Sequence, residues 1–131
     1  MMIRNIMTPG PVTVHPGVSL ETARQLMERG QFRSLPVTDD SETLVGIITS
    51  RDILRYAHSL ETVRVDEAMT RDPKTIGPDA SVEEAAIIIL EYKFGGLPVL
   101  DSGRPIGIVT TTDILRAFLR VEQATRKILD D

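Results

Sequence analysis

The stretch Gly46-Ile47-Ile48-Thr49-Ser50-Arg51-Asp52-Ile53-Leu54-Arg55 returns sixty-one residues later as Gly107-Ile108-Val109-Thr110-Thr111-Thr112-Asp113-Ile114-Leu115-Arg116. Upstream of it the match continues with an offset of 62. Phe32, Leu35-Pro36-Val37 and Asp39 recur as Phe94, Leu97-Pro98-Val99 and Asp101, and Ser19, Glu21 and Ala23 as Ser81, Glu83 and Ala85. At the start of each copy, Met7-Thr8, Pro11, Thr13 and Pro16 recur as Met69-Thr70, Pro73, Thr75 and Pro78. Two copies are too few for an open solenoid, which needs about three or more. A pair can close face to face about a pseudo-two-fold axis, which creates a cleft with two similar sites.

Each copy reads as the same series of elements. A β-branched extended piece (Val12–Val14; Lys74–Ile76) follows a proline. A helix then opens at Ser19 or Ser81. In the first copy Leu20, Ala23, Leu26 and Met27 give it an apolar stripe at helical spacing. Ser81-Val82-Glu83-Glu84 predicts a capping box, whereas Ser19 lacks the acidic third position and predicts a weaker cap. Val82, Ala85, Ala86, Ile88, Ile89 and Leu90 make the second copy's helix apolar around more of its circumference, predicting burial on two sides. Two strands follow, Ser34–Thr38 with Leu44–Ile48 and Leu97–Leu100 with Pro105–Val109, joined through Asp39-Asp40-Ser41 and Asp101-Ser102-Gly103. A second helix starts at Ser50 or Thr111. The last one runs on through Leu119, Val121, Ile128 and Leu129, outside the repeat.

The fold class is therefore α+β: two β-α-β-β-α repeats related by a pseudo-two-fold axis, in one compact module. The first repeat is expected over 1–60, and the second, with a C-terminal helix extension, over 61–131. A copy of roughly 50–60 residues alone buries too little of its own surface to be stable.

At 131 residues, 41% hydrophobic and 26% charged, composition is that of an ordinary globular protein. A net charge of −4 without a basic block gives no electrostatic case for nucleic acid. The absence of cysteine excludes disulfides and thiolate metal sites. The start lacks the apolar core of a signal peptide, and the longest apolar run, Ala85 to Leu90, is far short of a bilayer span. A cytoplasmic protein without a membrane partner is expected. His15 and His58 lack metal-ligand spacing, no serine has a triad context, and Gly95-Gly96 lacks the Gly-Lys-Ser/Thr end of a phosphate loop. No catalytic residue, metal or required cofactor is expected, and the chain reads as no enzyme.

The chemistry lies in Gly-φ-φ-Thr-x-x-Asp. A strand ends, Gly permits close approach beside it, and a helix begins at once. Thr49 and Thr110 fall at the helix entrance, where the hydroxyl either caps the first turn or points outward with the free amides. Those amides and the helix dipole favour an anion such as phosphate. Asp52 and Asp113 lie one turn on. An ionised carboxylate is acceptor-only and can take both hydroxyls of a ribose.

The ordered set, twice in one chain, resembles the cystathionine-β-synthase-type (CBS) domain, of which a tandem pair forms a Bateman module. The residues that carry it, within Ile3 to Phe118, are Met7-Thr8, Pro11-x-Thr13-Val14, Leu35-Pro36-Val37 and Gly46-Ile47-Ile48-Thr49-x-x-Asp52, with their second-copy partners. The resemblance implies a nucleotide lying between the copies. One site would combine Thr49, Arg51 and Asp52 with Lys74, Thr75, Phe94, Gly95, Gly96 and Pro98. The other would combine Thr110, Thr112 and Asp113 with Val12, Thr13, Phe32, Arg33, Ser34 and Pro36. Backbone near Leu35 and Leu97 would read the adenine edge, with Pro and Phe on its face. The basic residue often found before Leu-Pro-Val falls to Arg33 in the first copy. Gly95-Gly96 replace it in the second, either widening that pocket or leaving it without a phosphate clamp. The function implied is a stand-alone regulatory module sensing AMP, ADP, ATP, S-adenosylmethionine or a dinucleotide, as a homodimer that acts on a partner enzyme or transporter. The alternative is a non-catalytic dimeric scaffold that regulates its partner without sensing a ligand.

Overall fold

Ser19 and Ser81 open equivalent helices, α1 (Leu20–Gly30) and α4 (Val82–Tyr92). The computed structural model describes residues 1–130, so Asp131, the end of the second expected range, lies outside the described residues. Ser19 Oγ accepts the Thr22 amide at 3.2 Å and Ser81 Oγ the Glu84 amide at 3.1 Å, so the two caps are alike. The box expected at Ser81 is half formed, with no return bond from the Glu84 carboxylate among the described residues. Both helices stop identically. Gln31 and Lys93 turn left-handed at φ 58° and 57°, and the amides of Phe32 and Phe94 reach back to the carbonyls of Met27 and Ile89. That is a Schellman closure without its usual glycine.

The strands are β1 (Thr8–Pro9), β2 (Ser34–Thr38), β3 (Leu44–Thr49), β4 (Thr70–Arg71), β5 (Gly96–Asp101) and β6 (Arg104–Thr110). Helices α2 (Ser50–Arg55), α3 (Val65–Ala68) and α5 (Thr111–Asp130) complete the chain. The two three-stranded sheets have the orders β2-β3-β4 and β1-β6-β5. Each therefore takes its third strand from the other sequence copy: Thr8 lies opposite Ile108, and Thr70 opposite Ile47. Val12–Val14 and Lys74–Ile76, expected as strands, contribute only single parallel bridges, Val14 to Val37 and Ile76 to Val99. The exchanged pairs lie a few residues earlier. At the bridge, the Val14 amide donates to the Pro36 carbonyl and the Thr38 amide to the Val14 carbonyl. Proline's missing N–H is thus never required, which lets Leu-Pro-Val serve as a buried strand.

The exchange extends to the core. Ile3 and Ile6 pack with Ile76, Ala85, Ile89, Leu97, Val99 and Val109 of the second copy. Val65 closes the first copy's cluster over Val14, Leu20, Leu35, Val37 and Ile48. Burying a side chain such as Ile3, which has no exposed surface, contributes roughly 1.5–3 kcal/mol. The two hairpin tips also meet, the Leu44 amide donating to the Gly103 carbonyl at 3.0 Å. Within one chain α4 buries only Ala85 and Ile89, leaving Ile87 and Leu90 in the open. The expected two-sided burial of α4 is not met here.

Candidate functional site

Thr49 and Thr110 sit at the junctions of β3 with α2 and of β6 with α5. Of the two roles open to the hydroxyl, the structure selects the cap. Asp52 Oδ2 accepts from the Thr49 amide at 2.9 Å and from Thr49 Oγ1 at 3.0 Å, while the Asp52 amide donates back to Oγ1 at 3.3 Å. The second copy repeats this for Thr110 and Asp113 at 2.8, 3.0 and 3.2 Å. The box expected at Ser81 is thus found, complete, at the Thr–Asp motifs. It follows that the anion at each helix start is the chain's own carboxylate. The first amides of these helices are engaged as well, Ser50 N–H with the Arg33 carbonyl and Thr111 N–H with that of Gly95. The phosphate seat expected there is largely filled.

Asp52 and Asp113 are each only 6% exposed. With Oδ2 committed to the cap, Oδ1 is the oxygen left for an incoming group. Asp52 Oδ1 lies 3.5 Å from Arg55 Nη1, and Asp113 Oδ1 3.8 Å from Arg116 Nη1. Thr8 Oγ1, carried over from the first copy by β1, donates to Asp113 Oδ1 across a long 3.4 Å. Asp113 opens on a polar cavity of about 240 Å³ lined by Asn5 to Pro9, Arg116 and Arg120. A larger concavity of about 350 Å³ lies within the first copy, between α1 and α2, and includes Phe32, Arg33 and Ser50. It holds neither member of a Thr–Asp pair, so the smaller cavity is the chemically equipped one.

The other expected residues divide. The exchanged arms bring Val12-Thr13 on from β1 and Lys74-Thr75 on from β4, each starting from the opposite copy's sheet. The Leu-Pro-Val strands pair within their own copy, with Ser34 opposite Thr49 and Gly96 opposite Thr110. Pro36 and Pro98 are fully buried and present no face to a base. Arg33, Arg51 and Thr112 are exposed. Phe94 stacks on Tyr92 at 5.6 Å, and Lys74 Nζ stands 4.9 Å from the Tyr92 ring centroid, a cation–π contact on the second copy's surface. Thr8, Asn5, Arg116 and Arg120 were not among the expected site residues. Thr8 and Arg116 carried a signal, since they recur as Thr70 and Arg55; Arg120 lies where the first copy has Ser59 and carried none.

A family model of the CBS domain matches residues 3–59 and 65–120. The L-aspartate semialdehyde sulfurtransferase of Methanocaldococcus jannaschii is 36% identical over 119 residues, which are 89% of this chain and 23% of that protein. The chain spans 21–23% of the length of that enzyme and of two further curated enzymes it matches. Among solved structures, CBSX2 of Arabidopsis thaliana in complex with AMP is 34% identical and covers 92% of this chain and 98% of its own, with a TM-score of 0.85. The CBS domain pair of protein MJ0100 in complex with 5′-methylthioadenosine and S-adenosyl-L-methionine is also 34% identical, covering 90% of this chain and 95% of its own at a TM-score of 0.84. With the motif repeated in order, each arm exchanged and the matches spanning both copies, the chain belongs to the CBS domain family, as a tandem pair of its repeats.

Proposed function

We propose that this chain is a regulatory module that binds an adenosine-containing ligand between its repeats and passes the occupancy to a partner enzyme or transporter in the cytoplasm. The observation that carries it is the surroundings of Asp113: a buried carboxylate whose second oxygen is held only by a long bond from Thr8 of the other copy's arm, flanked by two arginines at a polar cavity. Such an oxygen suits a ribose hydroxyl, and Arg116 and Arg120 suit a phosphate or carboxylate tail. The complexes of similar proteins with AMP and with S-adenosyl-L-methionine support the same ligand class. Around Asp52 the equivalents of Asn5 and Arg120 are Glu67 and Ser59, so the Asp113 site takes the more anionic ligand. The activities of the longer relatives belong to proteins of which this chain spans less than a quarter, and no catalysis is assigned to it.

The module also pairs with itself. Leu54, Ile87, Leu90, Leu115 and Phe118 are each more than half exposed on helix surfaces, a pattern rarely left open to water. The same surface favours a second reading, a scaffold whose clefts sense nothing. Titration calorimetry with AMP, ATP, S-adenosylmethionine and NAD separates them. Saturable binding that weakens about tenfold or more in Asp113→Asn, through loss of a charge-assisted bond, supports the sensor. No heat with any of the four supports the scaffold.

A further inference from the structure

Helix α5 outlasts its own repeat. Its last buried residue is Ala117, and every residue from Phe118 to Asp130 is exposed. Its counterpart α2 stops at Arg55, and a turn follows in which the Ser59 amide donates to the Tyr56 carbonyl. Isolated helices shorter than about 12–15 residues are marginal in water, and the stretch beyond Ala117 falls in that range. Glu122 and Arg126 brace it at 3.5 Å, but exposed pairs of that spacing contribute little.

The junction between the packed and the free part of α5 works against the helix. Arg116 and Arg120 stand at i and i+4, both lining the cavity at Asp113, and like charges at that spacing disfavour a helix. Of the arginines on α5, Arg116 faces Asp113 Oδ1 at 3.8 Å and Arg126 faces Glu122, whereas Arg120 makes no ion pair among the described residues. A phosphate seated between the two guanidiniums reverses the sign of their interaction. It pairs with both, and so ties the last packed turn to the first free one.

We infer that a phosphate held between Arg116 and Arg120 stabilises the helical form of α5 beyond Ala117, so that order in the tail reports an anionic ligand at the Asp113 site. The inference rests on the adenosine site proposed above and adds the charge of its ligand and an output. The Asp52 site cannot act in this way, since Ser59 stands where the second copy has Arg120 and α2 has already ended. An uncharged adenosine can fill the cavity and leave the tail as it was.

Hydrogen exchange of the full chain, followed by mass spectrometry, tests it. Calorimetry with AMP and adenosine is run on the same samples, and folding of the variant is checked by circular dichroism. Saturating AMP should slow exchange of the amides from Val121 to Leu129 by about fivefold or more, and saturating adenosine should leave it unchanged. Arg120→Ser, which copies the first repeat, should bind AMP about tenfold more weakly and keep its affinity for adenosine. Its tail should gain no protection at saturating AMP. AMP binding with unchanged tail exchange in the wild type overturns the coupling and leaves the site. Equal protection by adenosine, or equal loss of AMP and adenosine affinity in Arg120→Ser, overturns the phosphate role of Arg120. A chain that binds S-adenosylmethionine or NAD but not AMP overturns this inference alone. A chain that binds no adenosine ligand overturns the site with it.

Discussion

At Gly46 and Gly107 the lack of a side chain is what lets the two copies interlock. A Cβ on Gly46 would stand 2.5 Å from Met69 Sδ and 2.9 Å from the Thr70 carbonyl oxygen, and one on Gly107 2.6 and 2.9 Å from Met7 Sδ and the Thr8 carbonyl oxygen. The thioether can move but the carbonyl cannot. Gly46→Ala and Gly107→Ala should therefore each destabilise the fold by about 1–3 kcal/mol, seen as a lower urea midpoint. Trimming the neighbouring methionine should recover only part of that loss, and full recovery would mean the backbone clash is relieved elsewhere. Asp52 and Asp113 are structural as well as chemical. Replacing either by Ala removes the carboxylate half of a capping box and should cost about 1 kcal/mol even without ligand. Asn keeps an acceptor and should cost less, so Asp→Asn is the cleaner probe of binding. An unchanged thermal midpoint in both alanine variants would contradict the capping geometry.

At the scale of elements, charge pairs on the surface should shape the response to acid. Hydrogen bonding from Arg24 holds the Glu21 carboxyl below its ordinary range, and Arg64 does the same for Asp66. Each native value lies below the unfolded value of about 4, so the stabilisation is complete above that pH and fades as pH falls through the native value. A chain with Arg24→Gln and Arg64→Gln should lose less stability between pH 6 and 2 than wild type; parallel melting curves would overturn this. The helices opened by Ser19, Ser81, Ser50 and Thr111 were legible because caps and periodicity are local, as were the β2–β3 and β5–β6 hairpins. The strands β1 and β4 were not. Two residues carry no pattern of their own, and their partners lie in the opposite copy, so Val12–Val14 and Lys74–Ile76 drew the strand assignment by β-branching alone. The helix ends at Gln31 and Lys93 lacked the glycine that normally signals them. Of the site, the Thr–Asp pairs were legible from repetition, while the burial of Pro36 and Pro98 depended on sheet packing that spacing does not encode.

For the molecule as a whole, exchanged strands and shared cores should make unfolding a single event, with calorimetric and van't Hoff enthalpies equal. Two resolved transitions would show the repeats melting separately. A ligand bound only by the native state, at a hundredfold excess over its dissociation constant, should add about 2.7 kcal/mol per site and raise the melting point on the order of 10 °C. With no tryptophan, circular dichroism is the suitable probe. The arm exchange also governs the order in which the chain can fold as it is made. Pairs such as Thr8 with Ile108 span most of the chain, a separation that slows folding. The first sixty residues leave the ribosome without Val65 or β4 to close their core and sheet. Ile3 and Ile6 are made well before β6 and α5 but find their place only once those elements have followed. Synthesis thus runs ahead of folding for nearly the whole length. The nascent chain should stay open to protease until residues beyond about 110 are released, and then close in one step.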